Sequence, residues 1–315
     1  MTLSESGLID FLKTKFPTHM GDDAAVLSPA QQRVITQDLL VEDVHFRMRY
    51  QTAESLAHKA LHVNLSDLAA MGATPEFVLL GLSIPTQHAD YIHAFLAAFS
   101  DACQANQVIL IGGDTTRSPD KLFISVTAIG GIHEANLKYR HTAQPGDLIC
   151  IAGALGEAHL GFTALEHQVS GFDDFKQRFL KPHARTREGI WFGSQPHVTA
   201  MMDLSDGLFI DLEKMMEASK QSAIINLDAL QPTLDFQTTC KHLHLDPIIT
   251  QLTGGEDYGL LLTIHPDHYA ELAHAFQSQF DYPLHAIGCV EAGSGVRTIQ
   301  NGKPVTLQLT PYHHF

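Results

Sequence analysis

Aspartates beside glycine or hydroxyl residues recur along this chain. They stand at Gly21-Asp22-Asp23-Ala24-Ala25, Thr36-Gln37-Asp38, Asn64-Leu65-Ser66-Asp67, Gly112-Gly113-Asp114-Thr115-Thr116, Asp203-Leu204-Ser205-Asp206-Gly207 and Gly254-Gly255-Glu256-Asp257. Each cluster falls at the expected end of a helix or strand. Carboxylates that are scattered in sequence but free to converge in space are what a hard divalent cation needs. The pattern points to a Mg²⁺-dependent enzyme acting on phosphates. Any one cluster has a plainer reading as a turn, a cap or a satisfied core pair. The recurrence carries the argument.

The elements that must position these residues follow from periodicity. Thr52–Met71 predicts a helix, with Thr52 as N-cap, Leu56, Ala60, Leu61, Leu65 and Leu68 at helical spacing, and Gly72 and Pro75 ending it. Asn64 and Asp67 share one face of that helix among apolar neighbours, where a carboxylate needs a hydrogen bond, a cation or a metal. Residues 24–27 and 33–40 predict strands. Asp38 ends the second, with Thr36 on the same side. Asp22 and Asp23 precede a strand and point to opposite faces, so one is a ligand and the other structural. Spacing alone does not decide between them, and Asp23 is preferred.

Further strands are expected over 77–84, 108–111 and 122–132, with a helix over 89–103. In this reading Gly112 and Gly113 let the backbone approach a ligand, and Asp114 stands at the exit of the strand 108–111. A polar stretch, 133–144, leads into Pro145-Gly146-Asp147 and suggests a domain boundary, giving units 1–137 and 138–315. The second unit predicts strands over 148–152, 223–227, 258–264 and 284–290. Helices are expected near 173–180, 185–192, 208–220 and 267–279. Ser205 or Asp206 either caps the helix at 208 or leaves its N–H groups to a phosphate. Strands and helices neither alternate strictly nor segregate, so the fold class is α/β with mixed, α+β-like sheets.

Composition narrows the function. The 315 residues suit two domains of about 150 each. With 20 basic against 35 acidic residues, a formal charge of −15, the chain lacks the basic surface of a nucleic-acid binder. A nucleotide is not excluded, because bound Mg²⁺ reverses the local sign. Cys103, Cys150, Cys240 and Cys289 form no C-x-x-C pair and read as reduced thiols, and the 20 histidines read as mostly solvent-facing. No window approaches the ~20 apolar residues of a membrane span. No secretory leader is visible, and a cytoplasmic location is expected. The Gly153–Gly161 stretch lacks the Lys-Ser/Thr ending of a P-loop, and protein-kinase signatures are missing.

These motifs, in this order and over nearly the whole chain, resemble the thiamine-monophosphate kinase family, within the aminoimidazole ribonucleotide synthetase-like ATP-binding superfamily. The run Asn64-Leu65-Ser66-Asp67-Leu68-Ala69-Ala70-Met71-Gly72 is its most specific part, together with Gly112-Gly113-Asp114-Thr115-Thr116, Ser205-Asp206-Gly207 and Gly254-Gly255-Glu256-Asp257. The resemblance implies a two-domain fold whose N-terminal domains pair as a homodimer. It implies transfer of the γ-phosphoryl group of ATP to thiamine monophosphate with the help of several Mg²⁺ ions. It places Asp23, Thr36, Gln37, Asp38, Asp67, Asp114, Asp203 and Asp206 on metal-ligand positions, Gly113, Asp114, Arg140 and Ser205 on nucleotide positions, and His45, Glu256 and Tyr312 on positions that hold the thiamine substrate. Two departures matter. Gln37 stands where a hydroxyl residue is usual, and the tail reads His313-His314-Phe315 rather than Asp-His-Phe. A sister synthetase is the rival enzyme. The absence of any cysteine before Cys103 weighs against selenophosphate chemistry. A non-catalytic nucleotide-binding subunit is the rival from another class.

Overall fold

The computed structural model describes residues 25–27 and 32–309. Two mixed sheets, each covered by helices, carry the chain. The first sheet has the order β1 (Ala25–Leu27), β2 (Gln32–Val41), β5 (Phe123–Ile132), β3 (Thr74–Pro85), β4 (Ile109–Ser118). β2 and β5 run antiparallel over ten residues each, from Gln32 opposite Ile132 to Val41 opposite Phe123. β3 and β4 are parallel and joined by a helical crossover.

Helices α1 (Ala53–Ala70) and α2 (Ala89–Ala105) cover one face of this sheet. Along β5 every second residue from Ile124 to Ala128 is buried, and these meet Leu56, Leu61, Leu65, Leu68, Phe95 and Phe99. The alternate residues face away from the helices. There Leu39 is 59% exposed and Phe123 42%, and edge residues Ile109 and Ile111 are 59% and 53% exposed.

The second sheet has the order β12 (Lys303–Val305), β11 (Gly295–Gln300), β8 (Ser222–Asn226), β10 (His285–Glu291), β6 (Leu148–Ala152), β9 (Leu260–Ile264), β7 (Val198–Asp203). β11 pairs parallel with β8, and the other pairs are antiparallel. Its central strands are buried on both faces. Ile149 and Ile151 of β6 join Leu208, Leu212, Met215 and Met216 on one side, while Cys150 and Ala152 join Phe192 and Phe276 on the other. That double burial explains why β6 and β9 read as unbroken apolar runs. The helices, in chain order, are α3 (Glu157–Glu166), α4 (Asp173–Leu180), α5 (Thr186–Gly193), α6 (Leu208–Ser219), α7 (Leu234–His242), α8 (Pro247–Thr253) and α9 (Pro266–Phe280). No helix among the described residues is long and apolar enough to cross a membrane.

α1 is the spine of the molecule. It starts where the sequence places it: Thr52 Oγ1 accepts from Ser55 N at 3.1 Å. Nearly every position from Ser55 to Ala70 is buried, because the helix lies against both halves. Ala69 and Ala70 belong to the core built around β9 and α9. A Cβ on Gly189 of α5 would sit 2.2 Å from the Ala69 carbonyl oxygen, so glycine permits the backbones of α1 and α5 to touch. Gly189→Ala must push the two halves apart. We expect it to cost about 1–3 kcal/mol, the usual range for overpacking, read as the shift in a urea unfolding midpoint.

One expectation fails in detail. The strand expected over 108–111 continues to Ser118, through Gly112 and Gly113, because its partner β3 supplies a hydrogen-bonding edge along that whole length. A register shift between Val78 and Leu79 absorbs the extra residue. Among the described histidines His62 is the buried one: it is 3% exposed and stacks on His58 with ring centroids 3.9 Å apart. Its Nδ1 accepts from Ala184 N, and burial pushes its pKa down to about 2.

Candidate functional site

α1 presents three polar side chains to two strands, β2 and β7. Asn64 Oδ1 accepts from the Asp38 amide of β2 at 3.0 Å, with its Nδ2 bonded back to Ala60 O. Ser66 Oγ donates to Asp203 Oδ2, at the end of β7, at 2.7 Å. Asp67 accepts from Thr36 Oγ1 of β2. One helix thus gathers Thr36, Asp38, Asp67 and Asp203 from both halves of the chain.

The loops of the second half close onto the same place. Residues 204–207 run from β7 to α6, and 254–259 run from α8 to β9. They are stitched together by Glu256 N to Ser205 O at 2.7 Å and Tyr258 N to Leu204 O at 2.9 Å. The Tyr258 side chain is buried at their junction. Burial first, and then the charges of Glu256, Asp38, Asp203 and Asp206, push its phenol well above the usual range. These four carboxylates, from β2, β7 and both loops, therefore act on one buried ring.

The donors gathered here are carboxylate and hydroxyl oxygens, which suits a hard divalent cation. Among the described residues no group of three His, Cys, Asp or Glu is close enough to hold a metal by itself. The acids have protein partners instead. Asp206 accepts from Lys214 of α6. Asp211, buried in the first turn of α6, accepts from the amides of Asp206 and Gly207 at 3.0 and 3.1 Å and from Lys214 at 3.0 Å. Its carboxyl is raised to about 6 by burial, with Lys214 opposing. This corrects the sequence reading of α6. Neither Ser205 nor Asp206 caps it: Gly207 is the N-cap, and Asp211 reaches back to the two amides at and before it.

Asp257 also has a role the sequence did not reveal. Gly156 N donates to its Oδ2 at 2.5 Å and Ala158 N to its Oδ1 at 3.1 Å, so it closes the N-terminus of α3. Burial raises its carboxyl from 3.8 to about 7 against those two amide bonds. A folded-state pKa above the unfolded value means that the folded protein holds the extra proton. The stability this proton confers is complete below about pH 4 and lost as pH rises through 7. Asp257→Asn removes that dependence. The stability of the wild type relative to the variant should fall between pH 4 and 7 and level off above, as read by urea unfolding at a series of pH values.

The other candidate residues lie as follows. Gln37 points to the face of the first sheet opposite Thr36 and Asp38, where its Nε2 donates to Ser125 Oγ at 2.9 Å. Only its backbone remains near the acids. Asp114 is not at a strand exit but inside β4, in register with Gly81 and, across β5, with Ser125 and Leu39. That row is the open face, away from α1, and Asp114 is exposed there. Gly113 needs no ligand to explain it: a Cβ would lie 1.8 Å from Leu80 O. Arg140 sits in a short 3₁₀ turn, residues 140–142, packed on α6 and β7, with its carbonyl accepting from Ser219 Oγ. Ser205 lends its carbonyl to Glu256. His45 lies in the turn after β2, with Nδ1 accepting from Val41 N at 3.0 Å. Asp23 and Tyr312 lie outside the described residues.

Sequence reasoning missed Lys59, Ser66, Asp211 and Lys214 as site residues. Lys59 left a faint trace, since it breaks the apolar surround of α1 three residues after Leu56 and four before Val63. Lys214 is three residues after Asp211, on its face of α6.

Known proteins resemble this chain in sequence and in overall fold. Residues 21–132 match the family model described as AIR synthase related protein, N-terminal domain, and residues 144–300 match its C-terminal domain. The thiamine-monophosphate kinase of Haemophilus influenzae is 36% identical over 306 residues, covering 94% of this chain and 91% of its own. The solved structure of AaThiL complexed with AMPPCP and TMP superposes with a TM-score of 0.88 at 29% identity, covering 100% of this chain and 99% of the other. The thiamine-monophosphate kinase structure from Stenotrophomonas maltophilia gives a TM-score of 0.78 at 32% identity, with coverage of 97% and 99%.

Proposed function

Because this chain belongs to the thiamine-monophosphate kinase family, we propose that it transfers the γ-phosphoryl group of ATP directly to thiamine monophosphate, with Mg²⁺, yielding thiamine diphosphate and ADP. The observation that carries this reading is that α1 gathers Thr36, Asp38, Asp67 and Asp203 from both halves of the chain, while Asp38, Asp203, Asp206 and Glu256 all act on the buried Tyr258. The AaThiL relative binds an ATP analogue and TMP together, which supports the same pair of substrates here.

The acceptor is itself a phosphate, mostly ionised near pH 7 because its second pKa is about 6, so no strong base has to activate it. The obstacle is repulsion between two anions. We assign Asp23, Thr36, Gln37, Asp38, Asp67, Asp114, Asp203 and Asp206 to holding the Mg²⁺ ions, with Gln37 serving through its backbone carbonyl. The ions would neutralise and align the two phosphates. Arg140 adds a positive charge beside the nucleotide, which also meets Gly113, Asp114 and Ser205. His45, Glu256 and Tyr312 hold the thiamine. Among the described residues no side chain is set up as a nucleophile, which favours in-line transfer without a phosphoenzyme.

Asp114 lies on the open face, away from the other acids. That face carries Leu39, Phe123, Ile109 and Ile111, an apolar patch that a second copy would cover. We therefore propose a homodimer through the N-terminal unit, residues 1–137, working in the cytoplasm where ATP is at hand.

The test is to incubate purified protein with ATP, Mg²⁺ and thiamine monophosphate and to separate the thiamine species by chromatography. Thiamine diphosphate should form only when all three are present. Its absence, with ATP binding confirmed in parallel, would move the reading to a sister synthetase.

A further inference from the structure

Lys59 has no exposed side-chain surface, yet it carries a charge into the centre of the molecule. Its Nζ donates to Glu256 Oε2 at 2.5 Å, and the Phe179 ring of α4 lies 3.9 Å from the ammonium. A lysine gives up water this completely only when a partner compensates it. The contact joins α1, α4 and the loop 254–259.

Glu256 is held on every side but one. Its φ is +64, a left-handed conformation uncommon outside glycine. Its amide is tied to Ser205 O, and its neighbour Asp257 is locked beneath α3. The remaining freedom is the direction of the carboxylate, and Lys59 removes it. The side chain keeps 26% exposure. With Oε2 committed to Lys59, Oε1 is the oxygen left for a ligand. Fixing a glutamate before the ligand arrives moves the entropy of ordering it from binding to folding.

Resting on the proposed kinase reading, we infer that Lys59 is a positioning residue for the acceptor: it aims the Glu256 carboxylate at the amino-bearing, cationic thiamine portion. α1 also carries Asp67, two turns further on and about 12 Å along the axis. The same helix thereby sets the distance between the acceptor's anchor and the acids that serve phosphoryl transfer.

The experiment is a double-mutant cycle on the full-length protein with Lys59→Met, Glu256→Gln and the pair together. Lys59→Met should raise KM for thiamine monophosphate about tenfold, the size of one lost directed hydrogen bond, with KM for ATP unchanged. It should add nothing in the Glu256→Gln background. Lys59→Gln, which keeps a donor, should recover part of the loss. Losses that add in the double variant would overturn the role, as would KM values for ATP and acceptor that rise in step. Failure of the kinase reading has a different signature, a wild type that makes no thiamine diphosphate. The same cycle would then be read by calorimetry with thiamine monophosphate alone, where coupled effects support the positioning role and additive or absent effects reject it.

Discussion

Asp67→Asn should lower kcat by roughly 10²–10³-fold at saturating Mg²⁺ and substrates, a loss on the scale of one preorganised electrostatic group. The fold should survive the change. Asparagine has the shape of aspartate, and its Oδ1 can still accept from Thr36 Oγ1. What disappears is a unit of negative charge at the point where α1 meets β2. If that charge helps to hold a divalent cation, the apparent Mg²⁺ requirement should rise along with the fall in kcat, and added Mg²⁺ should restore part of the rate. Steady-state kinetics across a Mg²⁺ series, with a thermal melt of each protein, make the check. Near-normal turnover at saturating Mg²⁺ would remove Asp67 from the ligand set. Asp203→Asn is a harsher case. That carboxylate is 2% exposed and accepts from Ser66 across the two halves, so its loss touches assembly as well as charge.

What could be read from sequence, and what could not, follows from the range of the forces involved. α1 was legible because its signals are local: a threonine cap, apolar spacing and a glycine after its end. The placement of Asn64 and Asp67 on one face followed from the same geometry, and both do engage β2. β4 was cut short because Gly112-Gly113 is a sound local signal for a strand exit, while the edge that keeps the strand going belongs to β3, some thirty residues earlier. Strand alternation already turns Gln37 away from Thr36 and Asp38, but its partner Ser125 required the register of β2 on β5, which no local pattern encodes. Asp257 and Glu256 are sequence neighbours with opposite fates, one capping α3 and the other meeting Lys59, and the difference lies in a left-handed φ at Glu256. Lys59 itself left only a faint trace for a simpler reason. A lysine on a helix ordinarily lies in water, and only the packing of a second domain over α1 takes that water away.

That last point sets the second large expectation. Glu256→Gln should cost about 3 kcal/mol or more of folding stability, because it strands a fully buried ammonium with an amide and the face of Phe179 for company. Breaking a buried pair costs about 3–5 kcal/mol when one charge remains, and the partial exposure of Glu256 draws the value toward the lower end. Lys59→Met should cost less, about 1 kcal/mol, since the orphaned carboxylate keeps 26% of its side chain in reach of water and the methionine fills the space the lysine stem occupied. The double variant, with neither charge present, should be more stable than Glu256→Gln alone. Urea unfolding extrapolated to water gives all three values. The ordering is the decisive feature: a larger loss from Lys59→Met than from Glu256→Gln would mean that packing of the lysine stem, rather than its charge, is what α1 contributes at this position. Stability and substrate affinity then separate cleanly. The glutamine variant should suffer in both, whereas the methionine variant should lose affinity for the acceptor with little loss of fold.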